Sequence, residues 1–400
     1  MKPNNFPTSR TRRRALGALG LVVAAGVVVS TLVVADGTPA SAARSRFSAH
    51  RGTATTAVGP TTTVAPTSPT TAKSVSTTAP PTTVKTGATT PTTAAPKVTT
   101  TTAPKSTAAS APSSVLFGAE TEESGNTLTQ LASFESHAGK KSSLYGYYAS
   151  FYWDSDFNAS LASTISSRGT TPMLTWEPWE PNGNVNQPTY SLAQLANGSF
   201  DAYISRWANE IKNWNHPLWL RFAHEMNGDW YPWSEGVNGN TSGQYVAAWR
   251  HVHDLFAQAG VSNVKWIWTP NVLMDGRPSL ASLYPGDAYV DWVGFDGYNW
   301  GTSASWSTWQ SPTSVMGATL SALRQITARP IVIGETSSSE VGGSKAQWIQ
   351  QFFSMLAANP DVKAFLWFNL NKENDWRIES SGAAQAAFAA GIADSRFVSA

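Results

Sequence analysis

Large apolar residues are distributed very unevenly along the chain. Residues 44–112 repeat Thr, Pro, Ala and Ser and hold hardly any large apolar side chain apart from Phe47, whereas all 18 Trp lie after residue 150. A segment with the first composition cannot bury enough apolar surface to fold. We therefore predict a disordered Thr/Pro-rich linker over residues 44–113 and a folded domain over residues 114–400.

Within residues 114–400, short apolar runs alternate with amphipathic segments. This alternation of strand-like and helical patterns is typical of repeated βα units. Apolar residues at helical spacing predict helices over residues 200–213, 243–259, 312–328 and 345–358. The predicted strands are Val115–Glu120, Ser143–Phe151, Thr171–Trp176, Leu218–Glu225, Val264–Pro270, Val290–Tyr298, Pro330–Glu335 and Lys363–Phe368.

The number of these units predicts the fold class. Eight strands, each followed by a helical segment, are expected to close into a (β/α)8 TIM barrel. A doubly wound parallel sheet is the structural alternative. Near-uniform repeats that fill the whole domain favour the barrel.

The N-terminal segment predicts export. Arg10 and Arg12 to Arg14 precede an apolar run over residues 15–35, and Ala40-Ser41-Ala42 matches a small-residue cleavage site. The run is also long enough to span a bilayer, so residues 1–43 are either a signal peptide or an N-terminal membrane anchor. We expect a secreted or surface-tethered protein, with membrane or cell wall as the point of attachment.

The net charge of +2 conceals two opposite halves. Residues 1–113 hold 12 Lys and Arg with one acid, Asp36, which leaves 16 basic and 25 acidic residues and a net charge of −9 in the folded domain. An acidic domain is poorly suited to nucleic acid, so a neutral polymer is the better partner. The chain contains no cysteine, which excludes disulfides and thiolate metal sites. We expect a monomer that needs no cofactor and no metal.

The predicted strand ends, where barrel enzymes carry their catalytic groups, are rich in carboxylates and aromatic rings. They read TWEPWE (175–180), RFAHEMNGDWYPW (221–233), GFDGYNW (294–300) and IVIGET (331–336). Pyranose rings stack on aromatic side chains and their hydroxyls need polar partners, so this pattern indicates carbohydrate binding. Trp219 and Trp292, inside strands, are assigned to the core. The candidates for sugar stacking are Trp230, Trp233, Trp300 and Trp367.

Glu225 and Glu335 end the predicted fourth and seventh strands. Strand alternation places Glu225 on the face of Arg221 and Ala223, and Glu335 on the face of Ile331 and Ile333. Both carboxyls are therefore predicted to point into the barrel mouth. The structural alternative makes Glu225 an ion-pair partner of Arg221 and Glu335 a charge at a helix N-terminus.

Two carboxyls about 5–5.5 Å apart would support a retaining double displacement, in which one attacks the anomeric carbon and the other protonates the leaving oxygen. A neighbouring carboxylate and partial desolvation would keep the acid protonated, and Tyr298 or Arg221 would keep the nucleophile ionised. Which of these groups lies beside which carboxyl is not determined by the sequence.

The segments WLRFAHEMNGDWYPW, VDWVGFDGYNW, PIVIGETSS and AFLWFNL resemble glycoside hydrolase family 26, a family of retaining (β/α)8 enzymes. The resemblance spans residues 115–385, and HEMNG at 224–228 is its most specific part. It implies that Glu225 is the acid/base and Glu335 the nucleophile.

The resemblance also implies roles in substrate binding. His224 corresponds to a sugar-contacting histidine, Tyr298 to a tyrosine that hydrogen-bonds the nucleophile, and Trp230 to an aromatic near the cleavage point. Trp367 corresponds to the aromatic floor of the −1 subsite, and Trp176 is a further match.

The implied activity is endo-acting cleavage of β-1,4-mannan. Mixed-linkage β-1,3-1,4-glucan and xylan are the alternative substrates. WYPW at 230–233 differs from the WFWW-like run of mannanases, which weakens the mannan assignment and strengthens that of mixed-linkage glucan, but mannan remains the first expectation. A non-catalytic carbohydrate-binding surface module and a transglycosylase are the other readings.

Overall fold

The computed structural model describes residues 114–400, so the predictions for residues 1–43 and 44–113 lie outside the described residues. Within residues 114–400, eight parallel strands close into a barrel, because β1 pairs with both β2 and β8. The predicted (β/α)8 fold is confirmed. The barrel strands are β1 Val115–Glu120, β2 Leu144–Ser150, β3 Thr171–Glu177, β4 Leu218–Phe222, β5 Val264–Trp268, β6 Trp292–Asn299, β7 Ile331–Ser338 and β8 Val362–Phe368.

Helices cover the outside of the barrel. Thr241 begins the longest of them with a capping box to Gln244, and Gly260 ends it in the left-handed conformation that glycine favours, at φ 74°. A short strand, β9 Phe397–Val398, pairs with the start of β1. The helices are α1 Thr129–Ala138, α2 Ala159–Ser166, α3 Leu192–Ala196, α4 Asp201–Trp214, α5 Ser242–Ala259, α6 Leu280–Leu283, α7 Pro312–Ile326, α8 Lys345–Ala358 and α9 Gly382–Ile392. None of these helices has the length and apolarity to cross a bilayer.

The apolar core has two layers. The barrel interior holds a compact cluster to which every barrel strand contributes, and the larger layer lies between strands and helices. Trp219 belongs to the interior and packs on Trp292 with ring centroids 4.5 Å apart, so the assignment of both residues to the core is confirmed. The interior cluster consists of Leu144, Met173, Trp219, Ile267, Val332, Ala364 and Leu366, with Leu116 and Trp292 packed against it.

Strand alternation, which was used to place the two glutamates, is wrong for Glu225. β4 ends at Phe222 rather than at residue 225. Ala223 and Glu225 then adopt φ of 43° and 53°, which is the left-handed region that non-glycine residues rarely enter. The Glu225 backbone N–H donates to the Thr269 carbonyl at 2.8 Å, so a turn anchored to the next strand places this carboxyl.

Glu335 also does not share a face with Ile331 and Ile333, contrary to what strand alternation predicts. Val332 lies in the barrel interior, whereas Ile331 and Ile333 pack in the outer layer. The register of β7 shifts after Ile333, and Glu335 pairs with Asp296. Such a bulge changes which face the following residues occupy. A Cβ atom on Gly334 would lie 2.5 Å from Asp296 Oδ1, so the bulged position needs glycine.

Candidate active site

Arg221, which is fully buried near the end of β4, organises the barrel mouth. Its Nε donates to Thr175 Oγ1 at 2.8 Å, and its Nη1 donates to both carboxylate oxygens of Asp296 at 2.8 and 2.9 Å. Its Nη2 donates to Glu335 Oε1 at 2.5 Å. A buried guanidinium is tolerated only when its charge and its donors are matched. Arg221 therefore ties the ends of β3, β4, β6 and β7 together around Glu335.

Glu335 receives hydrogen bonds on both oxygens. Tyr298 Oη donates to Oε2 at 2.5 Å. Oε1 accepts from Arg221 Nη2 and from Tyr148 Oη, each at 2.5 Å. Burial, followed by the charge of Glu335, raises the pKa of Tyr298 well above its ordinary value, so this phenol stays a donor. A guanidinium and phenol donors favour the ionised carboxylate. Both groups that the sequence offered as partners of the nucleophile thus contact Glu335.

Glu225 lies in a different environment. Asn271 Nδ2 donates to its Oε1 and Trp230 Nε1 donates to its Oε2, each at 2.8 Å. Burial, and secondly the negative charge of Glu335, raise the pKa of Glu225, and the two hydrogen bonds offset this only in part. The ion pair with Arg221 considered above does not form, since Arg221 pairs with Asp296 and Glu335. The raised pKa favours the protonated form of Glu225.

The HEMNG motif builds the turn that carries Glu225. Asn227 and Asn271 exchange hydrogen bonds, with Asn227 Nδ2 donating to the Asn271 carbonyl at 2.9 Å and Asn271 N donating to Asn227 Oδ1 at 2.8 Å. A Cβ atom on Gly228 would lie 2.6 Å from the Trp230 ring, so glycine lets this indole reach Glu225. His224 Nε2 lies 3.1 Å from Tyr231 Oη and 3.9 Å from Glu335 Oε1, which places its ring beside Glu335.

Three of the predicted aromatic residues do not face the mouth. Trp367 lies in the outer layer of the core against Phe352 and Phe388. Trp176 lies in the same layer between β3 and α4, where it stacks on Trp207 with ring centroids 4.9 Å apart. Trp233 is buried beneath the loop and stacks on Tyr231 at 4.2 Å. The roles suggested for Trp176, Trp233 and Trp367 in sugar binding are corrected accordingly, because their rings fill the protein interior.

A connected series of aromatic rings leads away from Glu335. The distances between ring centroids are 5.2 Å from Tyr298 to Trp376, 5.0 Å from Trp376 to Trp300, and 5.2 Å from Trp300 to Trp306. Trp306 is 49% exposed. Asn299 Oδ1 accepts from the backbone N–H of Gly301 and Gln310, which pins both ends of the loop carrying Trp306.

Sequence reasoning missed several groups at the mouth. Asp296 ends the run GFD, Glu120 ends β1 and Asn271 follows β5, so the rule of polar strand ends could have found them. Tyr148 lies on β2 at period-two spacing from the interior residue Leu144, which is a weaker signal. Trp376 lies in the segment after β8 and has no local signal.

His224, Asp296 and Glu335 place potential metal-ligand atoms within 4.8 Å of one another. The oxygens of Asp296 and Glu335 are however occupied by Arg221 and the two tyrosines. The guanidinium already supplies the positive charge that a metal would bring. This donor set fits a metal ion poorly.

A (β/α)8 barrel with two carboxyls in contrasting environments, surrounded by aromatic rings at its mouth, defines the class of barrel glycoside hydrolases. A model described as glycosyl hydrolase family 26 matches residues 114–358. The chain belongs to this family.

Similar proteins agree with this assignment. Endoglucanase H of Acetivibrio thermocellus is 41% identical over 265 residues, which cover 64% of this chain and 28% of that protein. Beta-1,3-xylanase TXYA of a Vibrio species is 23% identical over 216 residues, covering 46% of this chain and 42% of that protein. Mannan endo-1,4-beta-mannosidase A and B of Caldalkalibacillus mannanilyticus is 34% identical over 96 residues, which cover 23% of this chain and 18% of that protein. The chain thus spans less than half the length of these relatives.

Solved structures share the fold. The endo-beta-1,4-mannanase of Cellulomonas fimi has a TM-score of 0.54 at 18% identity, covering 71% of this chain and 72% of that one. The GH26 beta-mannanase of Bacteroides ovatus has a TM-score of 0.53 at 17% identity, covering 71% of this chain and 90% of that one. At this level of identity the likeness establishes the barrel architecture.

Proposed function

We propose that the protein is an endo-acting, retaining glycoside hydrolase in which Glu335 is the nucleophile and Glu225 the acid/base. The observation that carries the proposal is the contrast between the two carboxyls. Glu335 accepts hydrogen bonds from a guanidinium and two phenols, whereas Glu225 is buried beside neutral donors and has a raised pKa. Environments that separate two carboxyls in this way assign the roles of base and acid.

The reaction has two displacements. Glu335 attacks the anomeric carbon and Glu225 gives its proton to the departing glycosidic oxygen, which leaves a glycosyl ester on Glu335. Glu225, now ionised, takes a proton from water as that water attacks the same carbon and displaces Glu335. Each step inverts the anomeric centre, so the product keeps the β configuration.

For the substrate, we place a β-glucan containing 1,4 linkages first and β-1,4-mannan second. The relative that aligns over 265 residues is named an endoglucanase, and those named mannan endo-1,4-beta-mannosidases align over 90 to 106 residues. Xylan is a third candidate. The basic and apolar leader of residues 1–43 supports an extracellular site of action, where such polymers occur.

The test incubates the enzyme with mixed-linkage β-1,3-1,4-glucan, mannan, xylan and β-1,3-glucan, and follows both product sizes and the first anomer released by NMR. We expect mid-chain cleavage of the mixed-linkage glucan with the β anomer formed first. Initial release of the α anomer would exclude double displacement. Binding without turnover would support a carbohydrate-binding module, and products longer than the substrate would support a transglycosylase.

Trp306 is expected to stack on a sugar distal to the cleavage point, because it ends the aromatic series at the surface. We expect Trp306→Ala to raise KM for the polymer about 3- to 10-fold, as the loss of roughly 1 kcal/mol of aromatic contact implies. The kcat for a short aryl glycoside should not change.

The matched control is Val341→Ala, since Val341 is also 49% exposed and its carbonyl accepts from Thr302 N beside the same loop. Steady-state kinetics of both variants on polymer and aryl glycoside decide the matter. Equal effects of the two substitutions would remove Trp306 as a sugar platform.

A further inference from the structure

A third carboxyl lies at the mouth and takes no part in the two displacements. Glu120 ends β1 and is 1% exposed. A Cβ atom on Gly146 of β2 would lie 2.5 Å from Glu120 Cγ, so a glycine on the neighbouring strand provides the space for this side chain. Glu120 Oε2 is in hydrogen-bond contact with Tyr148 Oη.

Tyr148 connects this carboxyl to the nucleophile. Its phenol oxygen contacts Glu120 Oε2 on one side and lies 2.5 Å from Glu335 Oε1 on the other. A phenol carries one hydrogen and can donate only once. Both contacts are hydrogen bonds only when one carboxyl supplies a second hydrogen.

The positive and negative charges around Tyr148 indicate which carboxyl carries that hydrogen. Arg221 donates to Asp296 and to Glu335 at 2.5 to 2.9 Å, and its Nη2 also forms a longer ion pair with Glu120 Oε1 at 3.6 Å. One guanidinium therefore faces three carboxyls in a region closed to solvent. An ionised Glu120 would add a buried negative charge beside two others, which is costly.

We propose that Glu120 is a positioning residue that carries a proton and donates it to Tyr148 Oη, so that the Tyr148 O–H points at Glu335. This inference rests on the function proposed above and deepens it. No bond between heavy atoms changes. With Glu120 as donor, Tyr148 is committed to Glu335, and the nucleophile keeps its orientation when the sugar enters and when the ester is hydrolysed.

The decisive comparison is between Glu120→Gln and Glu120→Ala. A glutamine amide N–H can donate to Tyr148 as the neutral acid does, so Glu120→Gln should keep kcat within about threefold of the parent. Glu120→Ala leaves Tyr148 free to turn away, and loss of a hydrogen bond to a charged group predicts a fall in kcat of about 10- to 100-fold. KM should change little in both variants.

Two further measurements guard against a purely structural effect. Tyr148→Phe should lower kcat by a similar factor, and adding Glu120→Ala to it should cost little more, because both changes remove one interaction. Infrared difference spectra of parent minus Glu120→Gln at neutral pH should show the C=O stretch of a protonated carboxyl. Thermal unfolding of each variant checks that it folds.

A Glu120→Gln variant as impaired as Glu120→Ala, or spectra with carboxylate bands alone, would show that Glu120 is ionised and overturn the inference. Unchanged kcat in Glu120→Ala would also overturn it. The function proposed above is tested by a different measurement, the anomer that the parent enzyme releases first. Failure of that proposal and failure of this one are therefore distinguishable.

Discussion

Replacing Glu335 by alanine is expected to lower kcat at least about 10³-fold, because no other group can form the glycosyl ester. Added azide fits the vacated space and should restore turnover of an activated aryl β-glycoside. Azide attacks in a single displacement, so the product should be the α-glycosyl azide. Arg221, Tyr148 and Tyr298 remain in place to receive the anion.

Asp361→Ala is the matched control for this loss. Asp361 pairs with Arg324 at 2.7 Å just before β8 begins, at the opposite end of the barrel from the mouth. Its removal deletes a carboxylate without touching the site and should leave kcat unchanged. Residual activity of Glu335→Ala above about one tenth of the parent, or a β-glycosyl azide product, would rule out Glu335 as nucleophile.

Replacing Glu225 by alanine should have the second largest effect, with a loss of about 10² to 10⁴ in kcat on substrates whose leaving oxygen needs a proton. Aryl glycosides with acidic leaving groups should lose much less in the first step. Azide should then yield the β-glycosyl azide, because Glu335 still forms the intermediate and azide displaces it.

The pH profile provides an independent check on Glu225. Only its protonated form can act as acid, and burial together with the charge of Glu335 raises its pKa above the ordinary glutamate value of 4.5. Activity of the parent should therefore persist above that pH and fall as pH rises through the raised pKa. This alkaline limb should be absent from kcat/KM of Glu225→Ala. An unchanged limb would assign the acid role to another group.

The two carboxyls differ because of what surrounds them. Glu335 accepts from a guanidinium, whose charge offsets its own, while the donors to Glu225 are a neutral amide and an indole. Glu335 in turn raises the pKa of Glu225 through its negative charge. When the proposed glycosyl ester forms, Glu335 loses its negative charge. Glu225 has by then given up its proton and is a carboxylate that can accept one from water.

Much of the site could be inferred from local sequence. Apolar runs of strand length recur eight times, and polar residues follow where each run stops, so Glu225, Glu335 and Tyr298 were found by position. The strand-end rule works because parallel strands in a barrel bring their carboxyl ends to one rim. HEMNG carries further information, since His224, Asn227 and Gly228 each shape the turn that holds Glu225.

The orientation of the tryptophans could not be inferred in this way. Both faces of a barrel strand are buried, so an apolar residue is equally compatible with the interior and with the layer beneath the helices. Trp176 and Trp367 proved to lie in the outer layer. Trp376, which contacts Tyr298, comes from a segment whose path depends on packing around it.

The sequence by itself determined the barrel, its rim and the two glutamates, because hydrophobic periodicity and strand ends are local properties of the chain. Only the tertiary structure decided how those glutamates face the groove, through a left-handed turn after β4 and a register shift in β7. It also brought Glu120, Tyr148, Asp296 and Glu335 around Arg221. These residues come from five strands, and their contacts arise only when the sheet closes on itself.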